Sequence, residues 1–239
     1  MNQTVTIAKR ELTSLFYSPI AYVVLGLFGF GASLIFFRFF GPGQQATLRQ
    51  TFDGIIWLMI FLMPAISMRM ISEELRSGTV EMLVTSPLTD TQVIVGKWLG
   101  TMGFLAVLLS PLLVLVGVLE INGDPDYGPI FSGLLGLMLA GGLYLAIGCF
   151  ASATTQDQII SFVFTVFIIC LLTFLMYFLP DAPFIGPGLR EAMFYMNVNR
   201  QYGDYSKGLI DIANLVYFVS GIMLFLFLAV MMLQSRRWR

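Results

Sequence analysis

The segment MRMISEELRSGTVEMLVTSPLTDTQVIVGKW, residues 68–98, is a polar stretch that lies between two apolar runs. The chain is 57% hydrophobic and only 11% charged. Even so, this segment gathers several charged side chains: Arg69, Glu73, Glu74, Arg76, Glu81, Asp90 and Lys97. Because charged side chains are costly inside a lipid bilayer, we expect the segment to lie in water between two membrane-crossing helices.

Local signals predict that the two ends of this segment are helical. Ser72 is followed by Glu73 and Glu74, a pattern typical of a helix start, although the preceding span could also continue through these residues. Farther along, Thr89 and Gln92 have the spacing of a capping box, which predicts that the next helix begins there.

The middle of the segment is predicted to form a short two-faced turn. Gly78 suits a helix end, Thr79 can cap the turn that follows, and Pro87 stops it. Three apolar side chains share one face of this turn, namely Val80, Leu83 and Val84. Glu81 lies on the other face. An ordinary solvated loop would not need such an apolar face, so the pattern favours a surface that docks on a partner.

The composition of the whole chain indicates an integral membrane protein. Its 239 residues have a mean hydropathy of +0.84, far above that of a soluble domain. Six apolar runs are each long enough to cross a bilayer: residues 20–40, 54–71, 98–119, 130–151, 159–179 and 212–233. The sequence therefore predicts an all-α membrane protein that forms one transmembrane domain over residues 1–239.

Several classes of function are disfavoured by what the sequence contains. The net charge of −1 provides no basic face for nucleic acid. The chain has no histidine, and Gly96-Lys97 lacks the rest of a phosphate-binding loop. The interiors of the predicted spans have no charged residue except near their ends, which argues against a proton-coupled carrier. We therefore expect neither catalysis nor a bound cofactor or metal in this chain.

Residues 1–18 are predicted to form an amphipathic helix at the membrane surface. Its apolar side would consist of Val5, Ala8, Leu12, Leu15 and Phe16, while Ile7 breaks the pattern. Ser18-Pro19 would end this helix and begin the first span, since proline is favoured at the first helical position.

Two further features concern packing and the loop between the fifth and sixth spans. Pairs of small residues four positions apart in the fourth span predict close helix packing, namely Gly136 with Ala140 and Gly142 with Ala146. Residues 180–211 are the longest polar stretch on the predicted outer side, and the run LREAMFYM within them is mildly amphipathic.

The positive-inside rule predicts the orientation. With the N-terminus in the cytoplasm, eight Lys and Arg residues lie inside and five outside. This bias favours a cytoplasmic N-terminus. Because the number of spans is even, the C-terminus must lie on the same side.

The run EELRSGTVEMLVTSPLTDTQVIVGKWLG resembles the loop of ABC type-2 transporter permeases, which carries the coupling helix that contacts the ATP-binding subunit. The shared pattern is a pair of acids, then Gly-Thr, then Glu, Leu and Pro, and finally Gly-Lys near the start of the next helix. Residues near the N-terminus resemble the elbow helix of the same family: Lys9, Arg10, Glu11, Leu12, Ser18 and Pro19.

The resemblance extends to the second half of the chain. The family places a short re-entrant hairpin between its fifth and sixth spans, and the length of residues 180–211 suits one. The stretch from Tyr202 to Phe218 is most similar to the branch associated with gliding motility, and the branch linked to copper-site maturation is also similar.

This resemblance implies a permease subunit, with type V exporter architecture, of an ATP-driven ABC exporter or of a force-transmitting ABC complex. Coupling to the ATPase would involve the loop residues Glu73, Glu74, Gly78, Thr79, Glu81, Leu83, Val84 and Pro87. Glu73 and Glu74 would pair with cations on the ATPase or on the elbow helix. Leu83 and Val84 would fill a groove on the ATPase.

The resemblance also implies partners and a location. ATP and magnesium would be bound by a separate ABC ATPase subunit, and a second permease copy or homologue would complete a dimer. Membrane lipids and an outer accessory protein are further candidate partners. The location would be the bacterial cytoplasmic, or inner, membrane. Two alternatives remain open at this point: an ATP-independent channel or carrier, and a structural membrane anchor for a multiprotein complex.

Overall fold

The computed structural model describes residues 3–41, 47–78, 89–182 and 185–236. Twelve α-helices occur within these ranges: α1 (Gln3–Tyr17), α2 (Pro19–Phe39), α3 (Arg49–Ser67), α4 (Ser72–Ser77), α5 (Asp90–Leu108), α6 (Ser110–Asn122), α7 (Tyr127–Thr154), α8 (Gln158–Cys170), α9 (Met176–Phe178), α10 (Pro187–Met196), α11 (Val198–Tyr205) and α12 (Ile212–Arg236). A π-helical turn, Leu171–Leu175, joins α8 to α9.

Within these described ranges, six helical stretches are long and apolar enough to cross a membrane, so the prediction of an all-α membrane fold with six spans is confirmed. They are Pro19–Phe39, Arg49–Ser77, Asp90–Asn122, Tyr127–Thr154, Gln158–Phe178 and Ile212–Ser235. The third stretch begins at Asp90, eight residues before the start that hydropathy predicted. Lys97, which the hydropathy bounds leave before the third span, lies inside this helix, as the helix start predicted from Thr89 and Gln92 implies.

Side-chain caps explain where several helices begin. The predicted capping box is present, because the Thr89 hydroxyl accepts the backbone N–H of Gln92 at 3.3 Å. The Gln92 side chain in turn accepts the N–H of Thr89 at 3.1 Å. Asp126 and Asp157 cap α7 and α8 in a similar way, each accepting a backbone N–H two residues farther along the chain.

Two of the spans are interrupted. The third changes from α5 to α6 at Leu109, two residues before Pro111, whose ring nitrogen has no hydrogen to donate to the helix. The fifth contains the π-helical turn, and the Asn197 side chain donates to the Thr173 carbonyl within that turn at 3.3 Å. The second interruption therefore coincides with a contact between the fifth span and the start of α11.

Helix α7 lies at the centre of the bundle. In its most apolar window 72% of the residues are buried, against 28% in the first, fifth and sixth spans. It packs against α3, α5, α8, α11 and α12. We name the end of the bundle that carries α1 and α4 the Lys97 end, and the end that carries α10 and α11 the opposite end.

At the opposite end, α11 packs directly on α7. The Ser132 hydroxyl donates to the Tyr205 carbonyl at 2.8 Å. A Cβ atom on Gly136 would come within 2.7 Å of the Tyr205 Cβ, so only glycine allows this approach. Residues 180–211 thus contain two short helices, α10 and α11. The re-entrant character of this segment remains a prediction.

Candidate functional site

A buried lysine in the third span joins three parts of the chain. Lys97 has only 3% of its surface exposed. Its ammonium nitrogen lies 2.6 Å from the Met70 carbonyl oxygen, 2.9 Å from Oε1 of Glu74 and 3.2 Å from Oε2 of Glu11. An ammonium group has three N–H donors, so each donor has an oxygen to bind. The helix α1, the α3–α4 junction with α4, and α5 therefore meet at one atom.

Helix α1 reaches this lysine because it lies in a groove of glycines on α5. A Cβ atom on Gly96 would come 2.9 Å from the Ile7 Cβ, and one on Gly100 would come 2.7 Å from the Ala8 carbonyl oxygen. Both distances are too short for a real side-chain atom. Gly103 continues the same face one turn farther. The groove lets the two helices approach closely, as small residues do between membrane helices.

The packed face of α1 includes the predicted residues Ala8, Leu12, Leu15 and Phe16, but it differs from the prediction at two positions. Ile7, which breaks the predicted apolar pattern, is buried, whereas Val5 on the predicted apolar side is 56% exposed. The cause is the groove on α5, which takes up Ile7, Ala8, Glu11 and Leu12. Contact with a neighbouring helix, and not an apolar surface alone, sets the orientation of α1 about its axis.

The start of α4 is held by a side chain from another helix. The Ser152 hydroxyl oxygen, near the end of α7, accepts the backbone N–H groups of Ile71 and Ser72, each at 2.9 Å. The same hydroxyl lies 3.2 Å from the Met68 carbonyl oxygen, to which it can donate. The first N–H groups of a helix need external acceptors. Ser152 satisfies two of them and fixes α4 to the fourth span.

Further charged contacts surround Lys97. Arg69 pairs with Glu73 at 3.2 Å, and a second nitrogen of its guanidinium donates to the Ser18 hydroxyl at 2.6 Å. Arg10 on α1 lies 3.9 Å from Glu74. Arg69 thus lies close to Glu73, and Arg10 of α1 lies close to Glu74.

We name the set formed by Lys97, Glu11, Glu74 and the Met70 carbonyl the Lys97 cluster. Removing one member of a buried ion pair leaves the other charge uncompensated, at a cost of about 3–5 kcal/mol. The elements that the cluster joins are therefore held in one relative arrangement. Among the described residues no group of three His, Cys, Asp or Glu side chains could hold a metal ion. Because the cluster ties α1, α4 and α5 together, a shift of one of these helices would also shift the other two.

The structure places some of the predicted coupling residues close to this cluster. Glu73 and Glu74 lie in the first turn of α4, and Gly78 ends that helix with a φ of 71°, a left-handed conformation that favours glycine. The remaining predicted coupling residues lie outside the described part of the chain, namely Thr79, Glu81, Leu83, Val84 and Pro87.

The predicted residues of α1 divide between two environments. Lys9 and Arg10 are exposed, while Glu11 and Leu12 face α5. Only Glu11 binds Lys97 directly among these four.

The four predicted packing residues are spread along α7 and do not form one site. Ala140 and Ala146 are fully buried, and Gly136 contacts Tyr205 at the opposite end. The carbonyl of Gly142 accepts a hydrogen bond at 3.0 Å from the indole of Trp98, the residue that follows Lys97.

Reasoning from the sequence missed Lys97 and Ser152 as members of this site. A signal for the α1 groove was present, because Gly96, Gly100 and Gly103 repeat at helical spacing on one face of α5. The contact of Ser152 with α4 joins residues about 80 positions apart, so no local sequence pattern predicts it.

This arrangement defines a six-span helical membrane protein with an N-terminal helix packed on its third span. Residues 34–235 match the family described as ABC-2 family transporter protein. The match covers most of the chain, which belongs to this family and is a membrane component of an ABC transporter. No curated protein matches the chain.

Proposed function

We propose that this chain is the permease subunit of an ATP-driven ABC exporter or of a force-transmitting ABC complex. A separate ATPase subunit would bind ATP and magnesium, and it would dock on the segment from Ser72 to Pro87 and on the inner face of α1. One observation carries the proposal. The helix at the start of this docking segment, α4, is fixed through the Lys97 cluster to α1 and to the third span.

The mechanism follows from differential binding of the ATPase to two arrangements of the membrane subunit. ATP closes the ATPase pair and displaces the docking segment. Because Glu74 and Ser152 fix α4 to the third and fourth spans, the displacement passes into the bundle. Glu11 carries the same displacement to α1. The bundle then rearranges, together with a second permease copy or homologue, to move substrate or force across the membrane.

This proposal fixes the orientation as well. The Lys97 end would face the cytoplasm, where the ATPase is, and the membrane would be the bacterial cytoplasmic membrane. The opposite end, with α10 and α11, would face outward and could meet an outer accessory protein. The helix α1 would then be the elbow helix of the family.

We also propose that the chain is closest to the gliding-motility branch of the family, with the copper-maturation branch as the near alternative. The support is the resemblance of the stretch from Tyr202 to Phe218. In a motility complex the displacement would be delivered as force to an outer partner. In a copper-maturation complex it would move a substrate.

The first test is a pull-down of the tagged full-length chain from its native membrane, followed by mass spectrometry and an ATPase assay. We expect an ABC ATPase to co-purify. In Leu83→Asp the complex should lose most of its ATPase stimulation, about tenfold or more, because a charge would replace the apolar contact of the docking face.

The matched control is Leu189→Asp, the same substitution at an exposed position on α10. It should leave ATPase binding and stimulation unchanged. Normal stimulation in Leu83→Asp would refute docking through the segment from Ser72 to Pro87. A stable oligomer that carries no ATPase would refute the permease proposal and favour an ATP-independent channel or a membrane anchor.

A further inference from the structure

A cavity of about 350 Å³ opens at the opposite end of the bundle, far along α3 from the Lys97 cluster. Three separate parts of the chain line it: the first turns of α3, the short helix α9, and α11 with the residues that follow it. Its volume lies in the range of sites that hold small molecules or head groups.

The polar side of the cavity offers groups for both an anion and a cation. Arg49 and Lys207 supply positive charge, while Asp53 supplies a carboxylate. Lys207 also pairs with Asp204 at 3.4 Å on the protein surface, but its side chain remains 47% exposed. Arg49 and Asp53 lie one helical turn apart on the same face of α3.

Two buried polar atoms of the lining residues have no hydrogen-bond partner among the described residues. They are the Tyr202 hydroxyl and the side-chain oxygen of Asn199. Tyr202 is 1% exposed. Burial raises its pKa well above the usual value, and the negative charge of Asp53 adds to the shift. The phenol therefore stays protonated and can donate, while the Asn199 oxygen can accept. Buried polar groups without partners are rare in proteins, and a bound ligand would satisfy both.

The other side of the cavity is aromatic. Trp57 and Tyr177 line it and are 37% and 55% exposed. The Trp57 ring lies against Phe174, with 4.9 Å between their centroids. Exposed Trp and Tyr side chains at the end of a membrane bundle are typical of the level of the lipid head groups. The cavity thus combines a polar wall with an aromatic edge toward the lipid.

We propose that this cavity binds the head group of a membrane lipid that carries both a phosphate and a primary amine, the chemistry of phosphatidylethanolamine. Arg49, Lys207 and the Tyr202 hydroxyl bind the phosphate oxygens. Asp53 and the Asn199 oxygen accept from the ammonium. The acyl chains leave the cavity across Trp57 and Tyr177 into the leaflet at the opposite end. This site does not depend on coupling to an ATPase, and its occupancy can be measured without nucleotide.

The test uses the full-length chain in phosphatidylcholine nanodiscs, titrated with lipids whose acyl chains carry bromine, a quencher of tryptophan fluorescence. The signal of Trp57 is obtained by subtracting that of a Trp57→Phe variant. We expect brominated phosphatidylethanolamine to quench saturably at a mole fraction about tenfold lower than brominated phosphatidylcholine, whose quaternary amine cannot donate a hydrogen bond. Brominated phosphatidylglycerol, which has no amine, should behave like phosphatidylcholine.

A filled cavity provides the matched comparison. A Cβ atom on Gly203, which lines the cavity, meets no atom within 4 Å, so the backbone there accepts a side chain and Gly203→Leu adds bulk to the cavity wall. It should abolish the preference for phosphatidylethanolamine. Gly188→Leu, on α10, also meets no atom within 4 Å of its Cβ and does not line the cavity. That control should keep the preference.

A second variant keeps the shape of the cavity and changes its charge. Asp53→Asn removes the carboxylate that faces the ammonium, so phosphatidylethanolamine and phosphatidylglycerol should then quench alike. Equal quenching by all three lipids in the unmodified chain would overturn the proposal, and so would a preference that survives both Gly203→Leu and Asp53→Asn. Displacement of the lipid by soluble phosphoethanolamine at equal concentration would identify a soluble ligand and overturn the assignment to lipid.

Discussion

At the scale of single residues, Lys97 shows that hydropathy and helix capping predict different starts for the same helix. A hydropathy window ends a span at the nearest charge, so it assigns Lys97 to the aqueous loop. The capping box of Thr89 and Gln92 is a local signal for the true helix start. It places Lys97 about two turns inside the helix. Its partners Glu11 and Glu74 could not be predicted, because they come from distant parts of the chain.

Removing the charge of Lys97 should destabilise the Lys97 end. In Lys97→Met, Glu11 and Glu74 remain mostly buried and lose the Lys97 ammonium, while Glu74 keeps Arg10 at 3.9 Å. We expect a loss of about 3–5 kcal/mol in the free energy of unfolding. The measurement is reversible unfolding of the purified chain in mixed micelles, followed by circular dichroism.

The matched control for this prediction is Lys207→Met, which breaks a surface ion pair at the opposite end. Such pairs contribute about 0–1 kcal/mol, so the control should unfold nearly like the unmodified chain. If the two variants lose equal stability, the Lys97 cluster does not hold the elements together. The double variant Lys97→Met with Glu74→Gln should lose less than the sum of its single changes, since the pair acts as a unit.

At the scale of elements, α1 shows the limit of amphipathic patterns in a membrane protein. The sequence predicts this helix correctly, because its apolar residues recur at helical spacing. The pattern predicted most of the packed face but not the burial of Ile7 or the exposure of Val5, because the α5 groove contributes as much as the composition of α1. Ile7 is buried there, and Glu11 on the same side is satisfied by Lys97. A pattern of apolar residues cannot predict that a polar residue such as Glu11 lies on a packed face.

Filling the groove on α5 should displace α1. A Cβ atom on Gly100 would come 2.7 Å from both the Ala8 carbonyl oxygen and the Glu11 Cβ. Since neither is the flexible end of a side chain, Gly100→Ala should cost about 1–3 kcal/mol despite the better helix propensity of alanine. Hydrogen exchange measured by mass spectrometry should report faster exchange throughout α1.

Gly117→Ala is the control for this groove variant, because it lies in the same span and meets no atom within 4 Å. It should leave exchange in α1 unchanged. Unchanged exchange in Gly100→Ala as well would mean that α1 is held by its lipid surface alone. That result would restore the purely interfacial helix that the sequence predicts.

At the scale of the whole molecule, the six spans could be predicted because bilayer thickness imposes a minimum length on each apolar run. The cavity at the opposite end could not be predicted. Its polar wall combines Arg49 and Asp53 with Asn199 and Tyr202, about 150 positions later. Each of these residues is an ordinary polar residue near a helix end in the sequence. Their convergence depends on α11 packing against α7, which is a tertiary contact.

The predicted orientation of the molecule rests on a balance of charges along the sequence. Lys9, Arg10, Arg69, Arg76 and Lys97 lie at the Lys97 end. The opposite end also carries five cations, namely Arg38, Arg49, Arg190, Arg200 and Lys207. The excess that favours a cytoplasmic Lys97 end therefore comes from the last arginines of the sequence, Arg236, Arg237 and Arg239.

This balance predicts the result of labelling single cysteines with a membrane-impermeant maleimide, in a background that carries Cys149→Ala and Cys170→Ala. In intact bacterial cells, Leu189→Cys should label, and Lys9→Cys should label only after the cells are permeabilised. Replacing Arg236, Arg237 and Arg239 with glutamine removes the excess, so both positions should then label in part of the population. The reverse pattern in the unmodified arginine background would place the Lys97 end outside the cell. An ATPase in the cytoplasm could not dock there, and the proposed coupling route would fail with the orientation.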